Sequence, residues 1–380
     1  MIGTMNKNIA IVGTGAAGSI CGYYLVKAGF DVTLFDKASP LRTLLPTGGG
    51  RCNLAHAEYD FRELAKNYPR GEKFLYSIFS RFSTSETIEL FEELGIKTYT
   101  QEDGRIFPEC NSAKLVREKI LKRIDRHIVK EEVVDIKISS NGYKLKTNRA
   151  EYLFSHIILA TGGHSGYSLA ENLGLKIVSP HPSLVGLNTK EKFAELSGTV
   201  VKNCISEGFE DDLLFTHFGV SGPLIYKISS IKAFDNFPYQ ITINLSQNLK
   251  DFQEILNKNP HKEIKNILGM YLPQKVAKFV LKGIDESKKA HETDGKTRDL
   301  ILERIHSFKI NVVGTNKGEE TVTAGGIDLN QINSKTMEVK ELPHLYCIGE
   351  VLNIDGFCGG YNLQNAWSTA FVAAESILTD

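Results

Sequence analysis

The chain has 380 residues, of which 42% are hydrophobic and 24% charged, a profile typical of a globular protein with two or three domains. Lysine plus arginine and aspartate plus glutamate each number 45, so the formal net charge is zero. We therefore expect neither nucleic acid nor a membrane as a partner, because neither is attracted strongly by such a surface. Six scattered cysteines without a Cys-x-x-Cys pair indicate reduced thiols in a cytoplasmic protein and no metal site.

The chain opens with a predicted β-α-β unit around a glycine-rich turn. Residues 9–18 read IAIVGTGAAG, a helix is predicted over residues 16–28, and Asp36 follows a second apolar run at residues 32–35. The first glycine permits a tight turn, the second lets backbone N–H groups approach a pyrophosphate, and the third allows close packing of helix and strand. The pattern predicts dinucleotide binding, with the pyrophosphate at the positive end of the helix.

The next segments alternate between loops, helices and strands. Three consecutive glycines at residues 48–50 predict a loop, because such a run is costly in a helix or strand. Helices are predicted at residues 72–82, 84–94 and 112–123, and short alternating runs between residues 133 and 154 predict an antiparallel meander. The apolar run at residues 157–160 predicts a fully buried strand that ends in another glycine pair.

The region from about residue 184 to 322 has a different character. Strand-like runs near residues 213–218 and 239–245 precede a lysine-rich helical block at about residues 251–307, which Pro260 and Pro273 divide. We interpret this region as an inserted domain. The nucleotide-binding fold is expected to resume at residues 345–350 and to end in a helix with a regular apolar stripe.

The distribution of glycine-rich loops favours FAD over NAD. An NAD domain usually completes its site within one contiguous unit, whereas glycines recur here at residues 48–50, 162–163, 349 and 359–360. A long FAD molecule, whose flavin extends away from its adenine, suits such widely spaced loops. An NAD-dependent dehydrogenase would not explain the glycine-rich loops at residues 349 and 359–360 near the end of the chain.

Four motifs carry a family resemblance. They are TGGGRCN at residues 47–53, FTHFGVSGP at 215–223, TAGG at 323–326, and a final segment that begins GEVL at 349 and ends GGYNLQ at 364. In this order they resemble the YhiN-type (BaiN/RdsA, HI0933-like) NAD(P)/FAD-dependent oxidoreductases over nearly the whole chain.

The resemblance implies an α/β fold with non-covalently bound FAD. A Rossmann-like FAD-binding domain of the glutathione-reductase type would be built from both chain ends, residues 1–185 and 323–380. An inserted β-barrel-like and helical substrate domain would occupy residues 186–322, with its helical block at about 250–307. Members of the family have been described as reductases of enone-like steroids or as amine oxidases, so the resemblance does not specify a substrate. The loop after Gly163 is shorter than in the family pattern, so no substrate or nicotinamide contact is assigned to it.

The residues predicted to bind FAD lie in the glycine-rich loops and beside them. They are Gly13, Gly15, Ala16, Ala17, Gly18, Asp36, Lys37, Gly48, Gly49, Gly50, Arg51, Cys52, Asn53, Val134, Thr161, Gly162, Gly163, Gly349, Glu350, Asp355, Gly360, Asn362 and Leu363.

Four of these assignments have open alternatives. Asp36 binds a ribose or caps a turn, and Lys37 flanks the adenine or is a solvated surface charge. Val133 or Val134 offers backbone atoms to the adenine or belongs to a core strand. Arg51 provides charge-assisted donors to phosphates or pairs with an acid.

The remaining assignments concern the flavin end. Glu350 and Asp355 are candidates to hydrogen-bond the ribityl chain. The amides near Asn362 and Leu363 are expected to face the flavin pyrimidine edge, where a helix N-terminus favours the anionic reduced flavin. Cys52 is interpreted as a packed thiol, because no resolving cysteine is near.

Hydride transfer belongs to flavin N5, so the protein has to position the ring, shield it and donate a proton. His217 and Tyr361 are the candidate donors; the alternatives are a surface or packed histidine and a tyrosine that stacks on the flavin.

The chain is therefore predicted to be an FAD-dependent oxidoreductase that transfers hydride to or from a small organic substrate, with NAD(P)H as a transient reductant. The alternative is a flavin-loaded binding or RNA-modification accessory protein, for which the lysines at residues 258–296 leave room for a local basic patch.

Overall fold

Two units make up the chain in the computed structural model, which describes residues 7–316, 318 and 322–380. One unit, here called the outer unit, contains Met1–His181 and Val322–Asp380, and the inserted unit contains Pro182–Thr321. The outer unit therefore combines segments from opposite ends of the sequence. Among the described residues, no helix is both long enough and apolar enough to cross a membrane.

The first segment of the outer unit alternates strands and helices. Its strands are β1 Asn8–Val12, β2 Asp31–Phe35, β3 Ala55–His56, β4 Thr98–Thr100, β5 Arg105–Pro108, β6 Ile128–Val129, β7 Val133–Ser139, β8 Gly142–Thr147, β9 Glu151–Phe154, β10 His156–Leu159 and β11 Ile177–Ser183. Its helices are α1 Ala16–Lys27, α2 Phe61–Ala65, α3 Glu72–Phe79, α4 Thr84–Glu93, α5 Ala113–Ile124 and α6 Tyr167–Asn172.

The inserted unit begins with strands and continues with helices. Its strands are β12 Leu187–Thr189, β13 Val200–Ser206, β14 Phe209–Phe215, β15 Gly219–Ser221, β16 Tyr239–Ile243 and β17 Phe308–Thr315. Its helices are α7 Pro223–Ile231, α8 Phe252–Lys258, α9 Ile264–Leu268, α10 Gln274–Val280 and α11 Gly295–His306. The chain then returns to the outer unit with β18 Val322–Ile327, β19 Glu338–Val339, β20 Leu342–Cys347 and α12 Tyr361–Thr379.

Six strands of the outer unit form one sheet in the order β19-β20-β10-β1-β2-β6. All neighbours are parallel except β19, which is antiparallel to β20. Val12 lies opposite both Phe35 and Leu159, and Leu159 lies opposite Cys347. Because the carboxyl ends of parallel strands meet at one edge, the loops after β1, β10 and β20 lie together.

The predicted meander and the buried strand after it are both present. Strands β7, β8 and β9 form an antiparallel three-stranded sheet. All four residues of β10, which follows directly, are buried, as expected for a strand covered on both faces.

The last helix of the chain packs against the first. Tyr24 of α1 and Phe371 of α12 are in edge-to-face contact at 5.3 Å between ring centroids. The fully buried Trp367 donates its indole N–H to the carbonyl oxygen of Leu54 at 2.9 Å. These contacts confirm the expectation that both chain ends build one Rossmann-like domain.

The strands of the inserted unit form a barrel-like sheet. Their order is β13-β14-β15-β12-β17-β16, and every pair is antiparallel. Ile205 on the edge strand β13 and Asn244, which follows the edge strand β16, exchange backbone hydrogen bonds of 2.9 and 2.8 Å, which closes the sheet. The prediction of a β-barrel-like and helical insertion is confirmed.

The end of β14 differs from its prediction for a local structural reason. The strand expected at residues 213–218 is β14, which ends at Phe215. Thr216 donates its backbone N–H to the carbonyl oxygen of Gly219 at 2.9 Å, and its hydroxyl accepts from the Gly219 amide at 3.1 Å. The apolar run therefore continues across a tight turn, which hydrophobicity alone does not reveal.

Candidate functional site

The glycine-rich turn after β1 requires glycine for two separate reasons. Gly13 has a φ of +104°, and a Cβ there would collide with the carbonyl oxygen of Ala160. A Cβ on Gly18 would collide with the carbonyl oxygen of Gly13, so α1 packs directly on the turn. A Cβ on Gly15, in contrast, meets no atom within 4 Å, so open space lies beside this part of the backbone.

The carboxylate of Asp36 holds this turn together. Its Oδ2 accepts hydrogen bonds from the Thr14 amide at 2.8 Å and from the Thr14 hydroxyl at 2.5 Å, and its Oδ1 accepts from the Ala38 amide at 2.8 Å. The turn-capping alternative is therefore seen, and ribose binding at Asp36 stays a prediction. Lys37 is exposed and forms a salt bridge of 2.9 Å with Glu132, which corresponds to its alternative as a surface charge.

The loop after β2 contains two glycines in the left-handed backbone conformation, and the side chain of Arg51 folds back onto this loop. Gly48 and Gly49 have φ values of +57° and +68°, and a Cβ on Gly48 would lie 2.6 Å from the ring of Phe107. The guanidinium of Arg51 lies 4.1 Å from the centre of that ring, and its Nε donates to the carbonyl oxygen of Gly48 at 3.2 Å. Within the described ranges Arg51 forms no salt bridge with an acid, so the cation–π contact replaces the expected alternative.

The two residues that follow Arg51 are buried and have different properties. Burial raises the pKa of the Cys52 thiol to about 12, so this group is protonated and unreactive at neutral pH. The Oδ1 atom of Asn53 is buried and has no hydrogen-bond partner among the residues that the structure describes.

Glu350 joins the loop after β20 to the loop after β10. Its Oε1 accepts the amide of Thr323 at 3.0 Å, and a Cβ on Gly163 would lie 2.8 Å from the same oxygen. Burial raises the pKa of the Glu350 carboxyl, and donors such as the Thr323 amide oppose this effect. Gly349 packs its Cα against the first turn of α1, where an added Cβ would lie 2.8 Å from the Cβ of Ala17.

Asp355 is fully buried and forms a bidentate ion pair with Arg70. The two residues also form an antiparallel bridge between their backbones. This ion pair gives Asp355 a structural role that needs no cofactor. Its proposed contact with the ribityl chain stays a prediction.

The start of α12 is built from several aromatic and polar contacts. The ring of Tyr361 stacks on His56, with 4.9 Å between ring centroids, and burial raises the pKa of the Tyr361 hydroxyl to about 12. The side-chain amide of Asn362 accepts a hydrogen bond from the Gly356 N–H at 2.9 Å and donates one to the Gly356 carbonyl oxygen at 2.7 Å. A Cβ on Gly360 would collide with the carbonyl oxygen of Ala55.

Two predicted residues belong to other segments than these loops. His217 belongs to the inserted unit, is exposed, and lies in the turn between β14 and β15 with its ring 5.2 Å from that of Phe218. Val134 lies on β7 with 45% of its surface exposed, so the core-strand alternative does not apply to its side chain. Their roles toward a cofactor or substrate stay predictions.

The loops at the carboxyl edge of the outer sheet fit an extended cofactor. A Cβ on Gly49 or Gly162, as on Gly15, meets no atom within 4 Å. Four side-chain oxygens in these segments are buried without a hydrogen-bond partner among the described residues: Asn53 Oδ1, Thr161 Oγ1, Asn353 Oδ1 and Asn365 Oδ1. Buried oxygens without donors are rare in folded proteins, so a ligand rich in donors and acceptors is what these segments fit.

Sequence reasoning missed several residues of this region. Asn353 and Asn365 were not singled out, and neither was Thr369, whose hydroxyl accepts the Gly349 amide at 3.0 Å. Asn365 and Thr369 are four positions apart on α12, and both are buried. Polar residues on the otherwise apolar stripe of the final helix were the signal that points to them.

A Rossmann sheet completed by a returning strand and helix, with open glycine-rich loops at its carboxyl edge, defines the class of the protein: a flavoprotein oxidoreductase with a Rossmann FAD-binding fold. The chain belongs to the family described as HI0933-like protein Rossmann domain, whose model matches residues 7–376. The family resemblance identified from the four motifs is thereby confirmed.

Three known proteins show how far the similarity extends. The chain is 33% identical to the ribosomal RNA dihydrouridine synthase of Haemophilus influenzae, with 98% of each chain covered. It is 28% identical to the 3-dehydro-bile acid delta(4,6)-reductase of Clostridium scindens, with 98% of this chain and 99% of that one covered. The fold resembles FrdA of Escherichia coli quinol fumarate reductase at a TM-score of 0.50 and 14% identity, covering 97% of this chain and 69% of that one.

Proposed function

We propose that the chain is an FAD-dependent reductase of a carbon–carbon double bond conjugated to a carbonyl group. Dihydrouridine is uridine whose ring double bond, next to a carbonyl, has been reduced. The delta(4,6) double bonds of a 3-dehydro steroid are conjugated to its 3-keto group. The names of both full-length relatives therefore point to one type of bond, and this shared chemistry is the observation that carries the proposal.

The outer unit supplies the groups that would hold FAD. The amides at the start of α1 would bind the pyrophosphate, since Gly15 has open space beside it. Asp36 has lone pairs left for a ribose after its contacts with Thr14 and Ala38. Glu350 would hydrogen-bond the ribityl chain from its position between the loops after β10 and β20.

Bound FAD supplies hydride transfer at flavin N5. The amides at the start of α12 would stabilise negative charge on the flavin pyrimidine edge. Reduction of the double bond also needs a proton for the second carbon. Tyr361, whose pKa of about 12 keeps its hydroxyl protonated at neutral pH, and His217 are the donors we propose.

We favour a uridine of ribosomal RNA as the substrate over a small enone. The support is the higher identity to the dihydrouridine synthase, 33% against 28%. This substrate differs from the expectations of a small-molecule substrate and of no nucleic-acid partner, the second of which rests on zero net charge. NADH or NADPH is proposed as the source of electrons.

The experiment compares the two substrates on one enzyme preparation. FAD-loaded protein is incubated without oxygen with NADH or NADPH and either unmodified ribosomal RNA transcribed in vitro or a panel of cyclic enones. Uridines that gain the mass of two hydrogen atoms support the RNA substrate, and reduced enones alone support the small-molecule substrate. A flavin that neither nicotinamide bleaches, with no product from either substrate, contradicts the proposal and supports the accessory role.

A further inference from the structure

Two histidines and an aspartate come together at the amino edge of the outer sheet. His156 begins β10 and His344 lies on β20, where the parallel pairing of Ile157 with Leu345 makes the histidines neighbours. Their ring centroids are 4.5 Å apart. Asp380, which follows α12, places Oδ2 3.7 Å from His344 Nδ1 and 4.0 Å from His156 Nε2. Since the strands are parallel, this cluster lies at the sheet edge opposite the glycine-rich loops.

The hydrogen bonds around His156 leave a lone pair pointing into the cluster. The Ser155 hydroxyl donates to the carbonyl oxygen of Asn8 at 2.8 Å. Its 2.8 Å contact with His156 Nδ1 therefore requires the ring proton on Nδ1, since a hydroxyl has one hydrogen to donate. His156 is 4% exposed, and its Nε2 is buried without a hydrogen-bond partner among the described residues.

The other two members also place potential ligand atoms in the cluster. The Nδ1 atom of His344 is buried without a hydrogen-bond partner in the part of the chain that the structure describes, and Asp380 contributes a carboxylate oxygen. Three potential ligand atoms thus lie within 4.8 Å of one another. His344 also has a φ of +65°, a backbone conformation that is uncommon for histidine and often marks a functional position.

We propose that His156, His344 and Asp380 bind a divalent transition metal ion of the zinc type, with water completing its coordination. Two imidazoles and a carboxylate are ligands that Zn²⁺ accepts. Bonds of about 2.0–2.1 Å to a tetrahedral ion place ligand atoms about 3.3 Å apart, so the cluster has to contract slightly. Asp380 has a half-exposed side chain and lies beyond the end of α12, so it can approach the two imidazoles, while small rotations of the rings bring their nitrogen atoms together.

Two further features bear on the affinity. Burial, and to a smaller degree the neighbouring His344 and Lys7, lowers the pKa of His156 to about 4, so its ring is neutral at neutral pH, as metal binding requires. Lys7 Nζ lies 3.6 Å from Asp380 Oδ2 and donates to the carbonyl oxygen of Ile377 at 2.9 Å. Without metal this ammonium neutralises the carboxylate, and it competes with the ion.

The test measures metal binding by the untagged, FAD-loaded full chain after treatment with a chelator. Calorimetric titration with Zn²⁺ is expected to show one equivalent, and Co²⁺ at the same site is expected to give a visible absorption band typical of low coordination number. His344→Ala and Asp380→Asn should each weaken binding by about 100-fold or more, and Ser155→Ala by about tenfold. Lys7→Met should strengthen binding, because the competing cation is removed.

A second histidine pair provides the control. His261 and His291 are exposed in the inserted unit with ring centroids 5.5 Å apart, and His291→Ala should leave the affinity unchanged. The proposal is overturned if no stoichiometric binding occurs, if binding survives both His344→Ala and Asp380→Asn, or if His291→Ala removes it. Circular dichroism of each variant verifies folding, so loss of binding is not mistaken for loss of structure.

Discussion

At the scale of single residues, two glycines of the same turn have different tasks. Gly13 is enclosed by the backbone near Ala160, whereas Gly15 faces open space. The first glycine is therefore needed for folding, and the second leaves open space that we propose a ligand occupies. Both tasks appear in the sequence as the same residue type, and the surroundings distinguish them.

This difference predicts opposite outcomes for two substitutions. Gly13→Ala should destabilise the apoprotein by about 1–3 kcal/mol, because it adds a steric clash and a strained backbone conformation. Gly15→Leu should leave the unfolding midpoint of the apoprotein nearly unchanged but remove most of the bound FAD. Urea unfolding and the absorbance of bound flavin measure the two effects. A Gly15→Leu variant that keeps its flavin would contradict the predicted pyrophosphate site.

Because the carboxyl group of Glu350 is buried, we expect the free energy of unfolding of the protein to depend on pH. Burial raises its pKa in the folded protein, so the folded chain holds this proton to higher pH than the unfolded chain does. Stability should fall as the pH rises from the ordinary glutamate pKa through the raised value. Glu350→Gln removes the ionisation and keeps an acceptor for Thr323, so the variant apoprotein should be more stable than the parent at neutral pH.

The two proteins should become equally stable at low pH, where the parent carboxyl is neutral. Denaturant unfolding of the apoprotein across this pH range measures the difference. Glu109→Gln, on an exposed glutamate, serves as the control and should follow the parent. Parallel curves for the parent and Glu350→Gln would contradict the proposed burial effect.

At the scale of elements, an ion pair ties the loop before α12 to the segment before α3. Arg70 lies just before α3, and Asp355 lies in the loop after β20; the two are 285 positions apart. Asp355 is fully buried, so its charge depends on its partner. The position of the helix that would face the flavin is therefore linked to a distant part of the chain.

Asp355→Ala should destabilise the apoprotein by about 3–5 kcal/mol, because it leaves the Arg70 guanidinium partly buried without this partner. The Arg70→Ala and Asp355→Ala effects should add to more than the effect of the double variant. Urea unfolding of all three variants provides the measurement. If the only role of Asp355 were to bind the ribityl chain, the Asp355→Ala apoprotein would be as stable as the parent apoprotein.

At the scale of the whole molecule, zero net charge does not describe each surface. Lys275 and Lys278 lie three positions apart on α10 and are exposed. Neither forms a salt bridge within the described parts of the chain. Neighbouring cations of this kind can contact phosphates even when the total charge is balanced.

If ribosomal RNA is the substrate, replacing Lys275 and Lys278 with alanine should raise KM for RNA and lower its dependence on salt. Each lost phosphate contact reduces the slope of log affinity against log salt by about 0.7–0.9. The kcat and KM for a small enone should not change. The matched control replaces Lys258, which is paired with Glu254 at 2.6 Å. If replacing Lys258 raised KM for RNA as much as replacing Lys275 and Lys278, the result would contradict a specific RNA-binding surface on α10.

Much of the fold was predictable from short-range patterns. The turn of residues 13–18, the meander, the buried β10 and the amphipathic α12 each depend on residues close in sequence. Pro260 and Pro273 correctly marked breaks between helices. The four motifs also identified the family. The end of β14 was misplaced because its apolar run continues across a turn.

The site was predictable as a set of loops and not as a set of contacts. The glycines and the acid after β2 predict where the backbone would approach a ligand. The sequence left open whether Asp36 caps a turn, and it did not reveal that Arg51 stacks on Phe107 or that Asp355 pairs with Arg70. Each of these side chains has more than one possible partner, and which partner it contacts depends on distant backbone.

The sequence by itself determined the local elements and the glycine-rich turn, because these depend on spacing within about 30 residues. It also determined the family, because four motifs occur in the family's order along nearly the whole chain. Tertiary structure alone decided the closure of the barrel at Ile205 and Asn244, and the meeting of His156, His344 and Asp380. These arrangements join residues far apart in sequence through strand register and helix packing, and no local periodicity encodes such a contact.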